Sequence, residues 1–333
     1  MARLTILLPA YNASPYINEA VTSLLKQSFA DFELWIIDDG STDNTREIID
    51  GHRDHRITKF FHDTNRGKVV IVNELIGKVT SEFVTVTDAD DISHPLRLAM
   101  QISQFDDDSE LMMCGTSYHA IYPNGQIIRS LSLKSDYREI YDSIVDQSRF
   151  LGATVVMRTK ILERMSEFYR PYFSDGMEDS DLNARIVDNF KCINLPQKLY
   201  FYRILRNSLS RKKYSVRISN LYQAISFLTG ERRRSGVDSL MKNNPEAVDQ
   251  HLELIAEENK KDPSLIHRRA AFYFMYWKLS ATAWNCACKA WIKKWWSLKN
   301  NLLVAYIAVL VAVEVLRKKT HYKNLILDEE GLV

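Results

Sequence analysis

The first 90 residues alternate between short apolar runs and amphipathic stretches with a period near 3.6. The apolar runs lie at 4–8, 34–37, 56–61 and 83–87, with helical patterns between them. Runs of this kind predict buried strands, and strands separated by helices predict a largely parallel sheet. The sequence therefore predicts an α/β fold, with a mixed, mostly parallel Rossmann-like sheet flanked by helices.

Length, net charge and cysteine content limit the kinds of protein that this chain can be. The length of 333 residues allows one large domain and a smaller one. A net charge of +2 gives no general attraction to polyanions, so we expect no nucleic acid partner. The four cysteines have no disulfide or zinc spacing, which fits a reducing cytosol. The apolar run at 4–8 is too short for a signal peptide, so we expect a cytoplasmic catalytic part.

Polar segments follow three of the predicted strands, at 9–12, 38–41 and 88–91. Ligands of open α/β sheets bind at the carboxyl ends of the strands, where these segments should meet. The last segment, Asp88-Ala89-Asp90-Asp91, places three carboxylates directly after an apolar strand. Carboxylate oxygens suit a hard divalent cation, which could hold a nucleotide diphosphate. An ordinary acidic turn is the alternative interpretation of this segment taken alone.

Six short motifs have a joint order and spacing that is specific. They are Leu8-Pro9-Ala10-Tyr11-Asn12, Ile37-Asp38-Asp39-Gly40-Ser41-Thr42-Asp43, Asn65-Arg66-Gly67, Asp88-Ala89-Asp90-Asp91, Glu178-Asp179-Ser180-Asp181-Leu182, and Tyr202-Arg203 with Asn207-Ser208. Over roughly residues 2–212 the chain resembles bacterial family 2 glycosyltransferases of the GT-A fold. The resemblance implies sugar transfer from a nucleoside diphosphate donor with Mn²⁺ or Mg²⁺ as cofactor.

The resemblance also implies where the donor binds. The 9–12 loop lines the nucleotide pocket in this family, so Tyr11 is expected to pack against the base. Asp39 is expected to accept a hydrogen bond from the base, and a carboxylate facing an imide N–H favours uracil. For Arg66 and Lys68, a phosphate contact and a solvated positive helix start both remain open. The expected donor-binding residues are Pro9, Tyr11, Asn12, Asp39, Arg66, Gly67, Lys68, Asp88, Ala89 and Arg203.

The motifs at 88–91 and 178–182, which we call the first and second acidic motifs, contain the residues expected to bind the metal and to act as the base. By resemblance Asp90 is the main metal ligand, and Asp88 reaches the metal or the ribose. The resemblance places the catalytic base at Asp179, with Glu178 as the second candidate. That base would deprotonate an acceptor hydroxyl, and one in-line displacement inverts the anomeric configuration. Acids that complement a helix dipole are the alternative interpretation of the second motif.

One motif departs from the family. Tyr202-Arg203 and the following 207–210 segment resemble the loop that closes over the donor diphosphate. Many relatives carry His two residues after that arginine, where this chain has Leu205. Arg203, Arg206 and Arg211 each remain open as the basic residue that contacts the diphosphate.

The last third of the chain predicts helices only, at roughly 215–234, 246–260, 264–297 and 301–319. Three tryptophans at 291–296 interleave with lysines, and twelve apolar residues follow at 302–313. That run is too short to span a bilayer. Tryptophan and lysine beside a short apolar helix indicate an interfacial segment, so we expect residues 285–319 to contact a membrane surface. A buried helical hairpin and an oligomer contact remain open.

These observations together predict a catalytic domain at 1–214 and a helical region at 215–333, with nucleotide-sugar binding in 1–100 and acceptor binding and catalysis in 101–214. We expect an inverting, metal-dependent hexosyl- or N-acetylhexosaminyltransferase. It would move a sugar from a UDP-sugar to a glycan or lipid-linked glycan in bacterial surface polysaccharide synthesis, such as capsule or lipopolysaccharide. We expect it at the cytoplasmic face of the inner membrane. The alternatives are a polyprenyl-phosphate glycosyltransferase and a non-catalytic sugar-nucleotide-binding scaffold at the membrane.

Overall fold

The computed structural model describes residues 2–205 and 216–318, with the backbone alone at 216–219, 258–259 and 311–318. The described chain divides into two compact units. The first contains 2–205 and 221–248, and the second contains 216–220 and 249–318. Residues 221–248 thus belong to the unit that holds the sheet, while the functional division at 214/215 stays a prediction.

The first unit is built on a mixed sheet of nine described strands in the order β3-β2-β1-β4-β8-β6-β9-β5, with β7 paired to β6. The strands are β1 Leu4–Ala10, β2 Phe32–Asp39, β3 Ile57–His62, β4 Phe83–Val86, β5 Ile92–Ser93, β6 Leu111–Ile121, β7 Ile127–Leu131, β8 Val156–Arg158 and β9 Lys191–Arg203. The pairs β1–β2, β1–β4, β2–β3 and β6–β9 are parallel. The predicted α/β class, with its mostly parallel sheet, is confirmed.

Helices cover this sheet because each presents an apolar stripe to it. In α1 the buried residues Ile17, Val21 and Leu24 recur at helical spacing and pack on the cluster around β1. The helices of the first unit are α1 Ile17–Leu25, α2 Thr45–Gly51, α3 Lys68–Ile76, α4 Arg97–Asp107, α5 Tyr137–Ser143, α6 Glu178–Val187 and most of α7 Val216–Ser235.

Residues 152–158 form a 3₁₀ turn, Gly152–Thr154, followed by the short β8. One predicted helix differs from the structure. The helix predicted over 264–297 is two helices, α9 Leu265–Tyr276 and α10 Ser280–Lys293. The chain breaks between them at Lys278, whose φ of 55° is incompatible with a continuing right-handed helix.

The second unit is helical. It contains most of α8 Pro245–Lys260, then α9, α10 and α11 Leu298–Lys318. Its core contains small side chains such as Ala271, Ala283 and Ala287, together with the larger Phe274, Leu303 and Ile307. Among the described residues, none of the helices combines the length and the apolar content that crossing a bilayer requires.

Candidate active site

The loops after β1 and β2 are joined by reciprocal hydrogen bonds. The backbone N–H of Asn12 donates to Ser41 Oγ at 3.0 Å, and Asn12 Oδ1 accepts from the N–H of Thr42 at 2.8 Å. Asn12 has a φ of 49°, a conformation that asparagine tolerates. Beside it the Tyr11 side chain is 45% exposed, which leaves its ring accessible to a ligand. Pro9 lies within β1, opposite Ile37 of β2.

The two aspartates at the end of β2 order the neighbouring loops. The buried Asp39 carboxylate accepts from the backbone N–H groups of Arg66 at 2.9 Å and Gly67 at 2.8 Å. Gly67 has a φ of 87°, which suits glycine. Asp38 accepts from the N–H of Ser41 and from Arg46 Nε, so it supports the loop after β2. Base recognition by Asp39 stays a prediction.

The two acidic motifs meet at Lys68. Its Nζ lies 3.3 Å from a carboxylate oxygen of each of three residues, Asp88, Glu178 and Asp179. The Lys68 side chain is only 18% exposed, so it is not a solvated helix start. Burial lowers the pKa of Lys68, but the attraction of Asp179 and Asp88 outweighs this and raises the pKa well above its usual value. A permanent positive charge therefore holds the two motifs together.

Arg66, the neighbouring cation, points elsewhere. It forms a half-exposed ion pair with Glu74 of α3, with Nη1 at 2.9 Å from Oε2. Surface pairs of this kind contribute little to stability and exchange readily with solvent. Its predicted phosphate contact stays a prediction.

Three residues that the sequence analysis did not select fix Asp179. The Tyr169 hydroxyl donates to Asp179 Oδ1 at 2.5 Å. The Asn73 side chain holds the Tyr169 backbone by donating to its carbonyl at 2.7 Å and accepting from its N–H at 2.9 Å. A Cβ at Gly152 would lie 2.4 Å from Asp179 Cγ, so only glycine leaves room for this carboxylate. None of the three belongs to a motif, and each lies at least ten residues from Asp179 in sequence.

Arg203, the last residue of β9, stabilises the acidic motif at 88–91 through hydrogen bonds. It is buried, and its Nε donates to the Asp90 carbonyl at 2.7 Å while its backbone N–H donates to Asp91 Oδ1 at 2.7 Å. Its Nη2 pairs with Glu19 at 2.6 Å. In this arrangement the guanidinium is committed to protein groups, and the predicted donor contact stays a prediction. The side chain of Ala89 also packs in the hydrophobic core.

Several expectations cannot be placed. Leu205 is the last described residue before the gap at 206–215. The expected roles of Arg206, Arg211 and the Asn207-Ser208 pair lie outside the described residues. In α6, Arg185 Nε lies 2.9 Å from Oδ2 of Asp181, four residues earlier.

The carboxylates at the end of β4 fit a divalent cation. Burial first, and then the charge of Asp88, raises the pKa of Asp90 to about 6. A cation between these two side chains would relieve the repulsion. The described residues contain no cluster of three or more metal-ligating side chains. Two carboxylates would leave the other coordination positions to diphosphate oxygens and water, as is usual for Mg²⁺.

Residues 5–166 match the model of Glycosyl transferase family 2. This match covers just under half of the chain and identifies residues 5–166 as a glycosyltransferase family 2 domain. Among its relatives is an enzyme of Escherichia coli, UDP-Glc:alpha-D-GlcNAc-diphosphoundecaprenol beta-1,3-glucosyltransferase WfgD. The two are 28% identical over 216 residues, which is 63% of this chain and 80% of WfgD.

Solved structures agree with this glycosyltransferase in fold. S. aureus TarS 1–349 in complex with UDP-GlcNAc superposes with a TM-score of 0.58 at 17% identity, covering 98% of this chain and 95% of that one. Mannosyltransferase PcManGT from Pyrobaculum calidifontis, in complex with GDP-Man and Mn²⁺, gives a TM-score of 0.53 at 20% identity and covers 96% and 83%. The predicted GT-A fold is confirmed.

Proposed function

We propose that this glycosyltransferase transfers a hexosyl or N-acetylhexosaminyl group from a UDP-sugar to a hydroxyl of a glycan, with inversion and with a divalent metal. The observation that carries the proposal is the position of Lys68 Nζ, 3.3 Å from both Asp88 and Asp179. A donor diphosphate held at Asp88 and Asp90 would thereby lie beside a carboxylate suited to act as the base.

The donor side rests on the first two loops. The exposed ring of Tyr11 offers a stacking face for a base, and Asp39 lies at the adjoining strand end. Each carboxylate oxygen of Asp39 accepts one backbone N–H and retains capacity for another donor, such as the uracil imide. TarS with UDP-GlcNAc and the UDP-Glc enzyme WfgD favour uridine, whereas PcManGT with GDP-Man makes guanosine the competitor to test.

Asp90 and Asp88 would hold Mn²⁺ or Mg²⁺. When bound there, the metal would stabilise the negative charge that develops on the departing nucleoside diphosphate. Lys68 contributes a second positive charge beside Asp88. Its positive charge lies between Asp88 and Asp179 and offsets the repulsion between the two carboxylates.

Asp179 would accept the proton of the acceptor hydroxyl as that oxygen attacks the anomeric carbon. The bond to the leaving diphosphate breaks from the opposite face, so the configuration inverts. The hydrogen bond from Tyr169 and the ion pair with Lys68 fix the carboxylate before the acceptor arrives. Such fixed orientation is a large part of what an enzyme contributes to a displacement reaction.

The acceptor and pathway rest on the relative WfgD, whose name specifies a diphosphoundecaprenol-linked sugar. We propose a lipid-linked glycan acceptor in bacterial surface polysaccharide synthesis, at the cytoplasmic face of the inner membrane.

The test is a panel of UDP- and GDP-sugars incubated with Mn²⁺, without acceptor, using wild type and Asp90→Ala. We expect slow release of UDP from one donor, which Asp90→Ala abolishes. Asp107→Asn is the matched control, because Asp107 is exposed on α4 and distant from the motifs in sequence. Release of GDP in place of UDP would overturn the donor assignment. Nucleotide binding without turnover, even with acceptor present, would support the non-catalytic scaffold.

A second experiment assigns the base. Transfer to a lipid extract is compared between wild type and Asp179→Asn. Loss of a general base typically costs about 10²–10⁴-fold in rate, so a decrease of that size is expected. An unchanged rate would favour a phosphate acceptor, which needs no strong base, and hence the polyprenyl-phosphate reaction. The stereochemistry of the product, determined by NMR, tests inversion.

A further inference from the structure

We infer that the second unit docks on an anionic lipid bilayer through the end of α10, the following turn and the outer face of α11. We name this region the aromatic–basic surface. It consists of Trp291, Ile292, Lys293, Trp295, Trp296, Leu298, Lys299, Leu302, Tyr306 and Val309. The inference goes beyond the transfer reaction, because no step of that chemistry uses these residues.

The helix α11 is apolar on two faces, and only one of them is buried. Leu303 and Ile307 pack in the core of the second unit with at most 3% exposure. Leu298, Leu302, Tyr306 and Val309 recur at intervals of three to four residues and form a separate stripe. Their exposed fractions are 71%, 61%, 55% and 62%. A contiguous exposed apolar stripe on a folded chain indicates a contact surface.

The turn before α11 extends this stripe with large aromatic side chains. Trp295 and Trp296 are 61% and 65% exposed, and their rings meet edge to face at 5.9 Å. Trp291 is oriented by a hydrogen bond from its Nε1 to Asn301 Oδ1 at 2.7 Å. Five of the six tryptophans in the chain lie between 277 and 296. Tryptophan is enriched where one end of a side chain contacts lipid and the other contacts water.

The charged residues of the aromatic–basic surface are lysines, and Lys294 beside them forms an ion pair with Asp262, with its Nζ 3.8 Å from Oδ1. Residues 263–313 contain seven lysines and arginines and no aspartate or glutamate, although the whole chain contains 42 acidic residues. Lys293 and Lys299 are exposed at the turn itself. A basic surface of this kind is attracted to anionic headgroups, with about a fivefold gain in binding for each lysine near the membrane.

Charge and composition favour a bilayer over a second copy of this chain. Two copies facing each other through this surface would bring their lysines together without any acidic partner from the same segment. The exposed stripe runs along the side of a helix, and the described helices are too short or too polar to span. A helix that lies in the membrane interface accounts for both the apolar stripe and the lysines, because its apolar side faces the acyl chains and its lysines lie beside the headgroups.

The test uses the full chain and vesicles of phosphatidylcholine with and without 30% phosphatidylglycerol, a composition of about one anionic lipid in three. Flotation measures the bound fraction, and tryptophan fluorescence with brominated lipid measures insertion. We expect binding to anionic vesicles only, weakened by salt and accompanied by quenching. The double variant Trp295→Ser/Trp296→Ser should bind at least tenfold more weakly, and Lys293→Glu/Lys299→Glu should lose binding at physiological salt. Ile127→Ser is the control, an exposed apolar residue of the first unit that should leave binding unchanged.

Three results would overturn the inference: no binding to anionic vesicles, equal binding to neutral ones, or variants that bind as wild type does. Sedimentation velocity in solution measures the oligomeric state and so tests the alternative occupant, a second copy of this chain. A dimer that becomes a monomer in the tryptophan variant, together with no vesicle binding, would assign the surface to a second copy. Acceptor-free donor hydrolysis is measured without vesicles on the same variants, so failure of this inference is separable from failure of the proposed function.

Discussion

The Tyr169 hydroxyl donates to Asp179 Oδ1 at 2.5 Å, from a phenol ring that is almost fully buried. Burial first, and then the negative charge of Asp179, raises the pKa of Tyr169 well above its usual value. The phenol therefore stays protonated and keeps donating throughout the working pH range. This contact orders the proposed base together with Lys68, whose Nζ lies 5.8 Å from the centre of the Tyr169 ring.

Replacement of Tyr169 by phenylalanine should slow transfer without unfolding the protein, because Asn73 still holds the backbone. A hydrogen bond to a charged group is worth about 1.5–3 kcal/mol, so kcat should fall about 10- to 100-fold. Isothermal titration should show unchanged UDP affinity. Tyr276→Phe, in the second unit, is the matched control. A variant with wild-type kcat would remove Tyr169 from the positioning of the base.

Gly152→Ala should have a similar effect for a steric reason. Its new Cβ would lie 2.4 Å from Asp179 Cγ, so the carboxylate has to move. Displacement of a reacting group by about 1 Å can cost about 10²-fold in rate, and we expect a loss of that order. Gly77→Ala is the control, since no atom lies within 4 Å of its Cβ position. The measurement is kcat of Gly152→Ala and Gly77→Ala at saturating donor. Equal kcat values for the two variants would refute the steric argument.

Asp90→Asn should stabilise the metal-free protein. Burial and the charge of Asp88 raise the pKa of Asp90 to about 6, so the ionised side chain is unfavourable in the folded state above that pH. The folded state binds this proton more tightly than the unfolded chain, and stability from this group therefore decreases as pH rises from 4 to 6. Removing the charge should add up to about 3 kcal/mol at pH 7.5, because the pKa differs by about two units at about 1.4 kcal/mol each.

Differential scanning calorimetry with and without Mn²⁺ measures this effect. Mn²⁺ should raise the melting temperature of wild type. Without Mn²⁺, Asp90→Asn should melt at a higher temperature than wild type, and adding Mn²⁺ should not change its melting temperature. In wild type the affinity for Mn²⁺ should fall about tenfold per pH unit below pH 6, as the proton competes for the same carboxylate. An undiminished response to Mn²⁺ in the variant would place the metal elsewhere.

Lys68→Met should destabilise the protein, because it leaves Asp88, Glu178 and Asp179 close together without their common cation. Breaking a buried ion pair from one side costs about 3–5 kcal/mol. A divalent cation can replace part of the lost charge, so Mn²⁺ should raise the melting temperature of this variant more than that of wild type. Lys68→Arg retains the charge and serves as the comparison. Equal increments in all three proteins would show that Lys68 and the metal do not share the same carboxylates.

Periodicity was sufficient to predict the parallel strands and the edge where ligands bind. β1, β2 and β4 are nearly uniformly buried, so their apolar runs are continuous and visible in the sequence. The motifs at 9–12 and 38–41 begin within the last two residues of β1 and β2, and the motif at 88–91 begins two residues after β4, so parallel pairing places all three at one edge. The break between α9 and α10 could not be predicted from periodicity. The apolar pattern continues through 264–297, although Lys278 adopts a left-handed φ of 55°.

The sequence by itself determined the α/β class, the family and the two acidic motifs, because local periodicity and motif order are properties of neighbouring residues. Only the tertiary structure decided which groups surround Asp179. Lys68 lies 111 residues from it, Tyr169 lies in an irregular segment and Gly152 in a 3₁₀ turn, and neither belongs to a motif. A hydrogen bond, an ion pair and the space for a missing Cβ depend on distances between remote parts of the chain, and packing of the sheet and helices sets those distances.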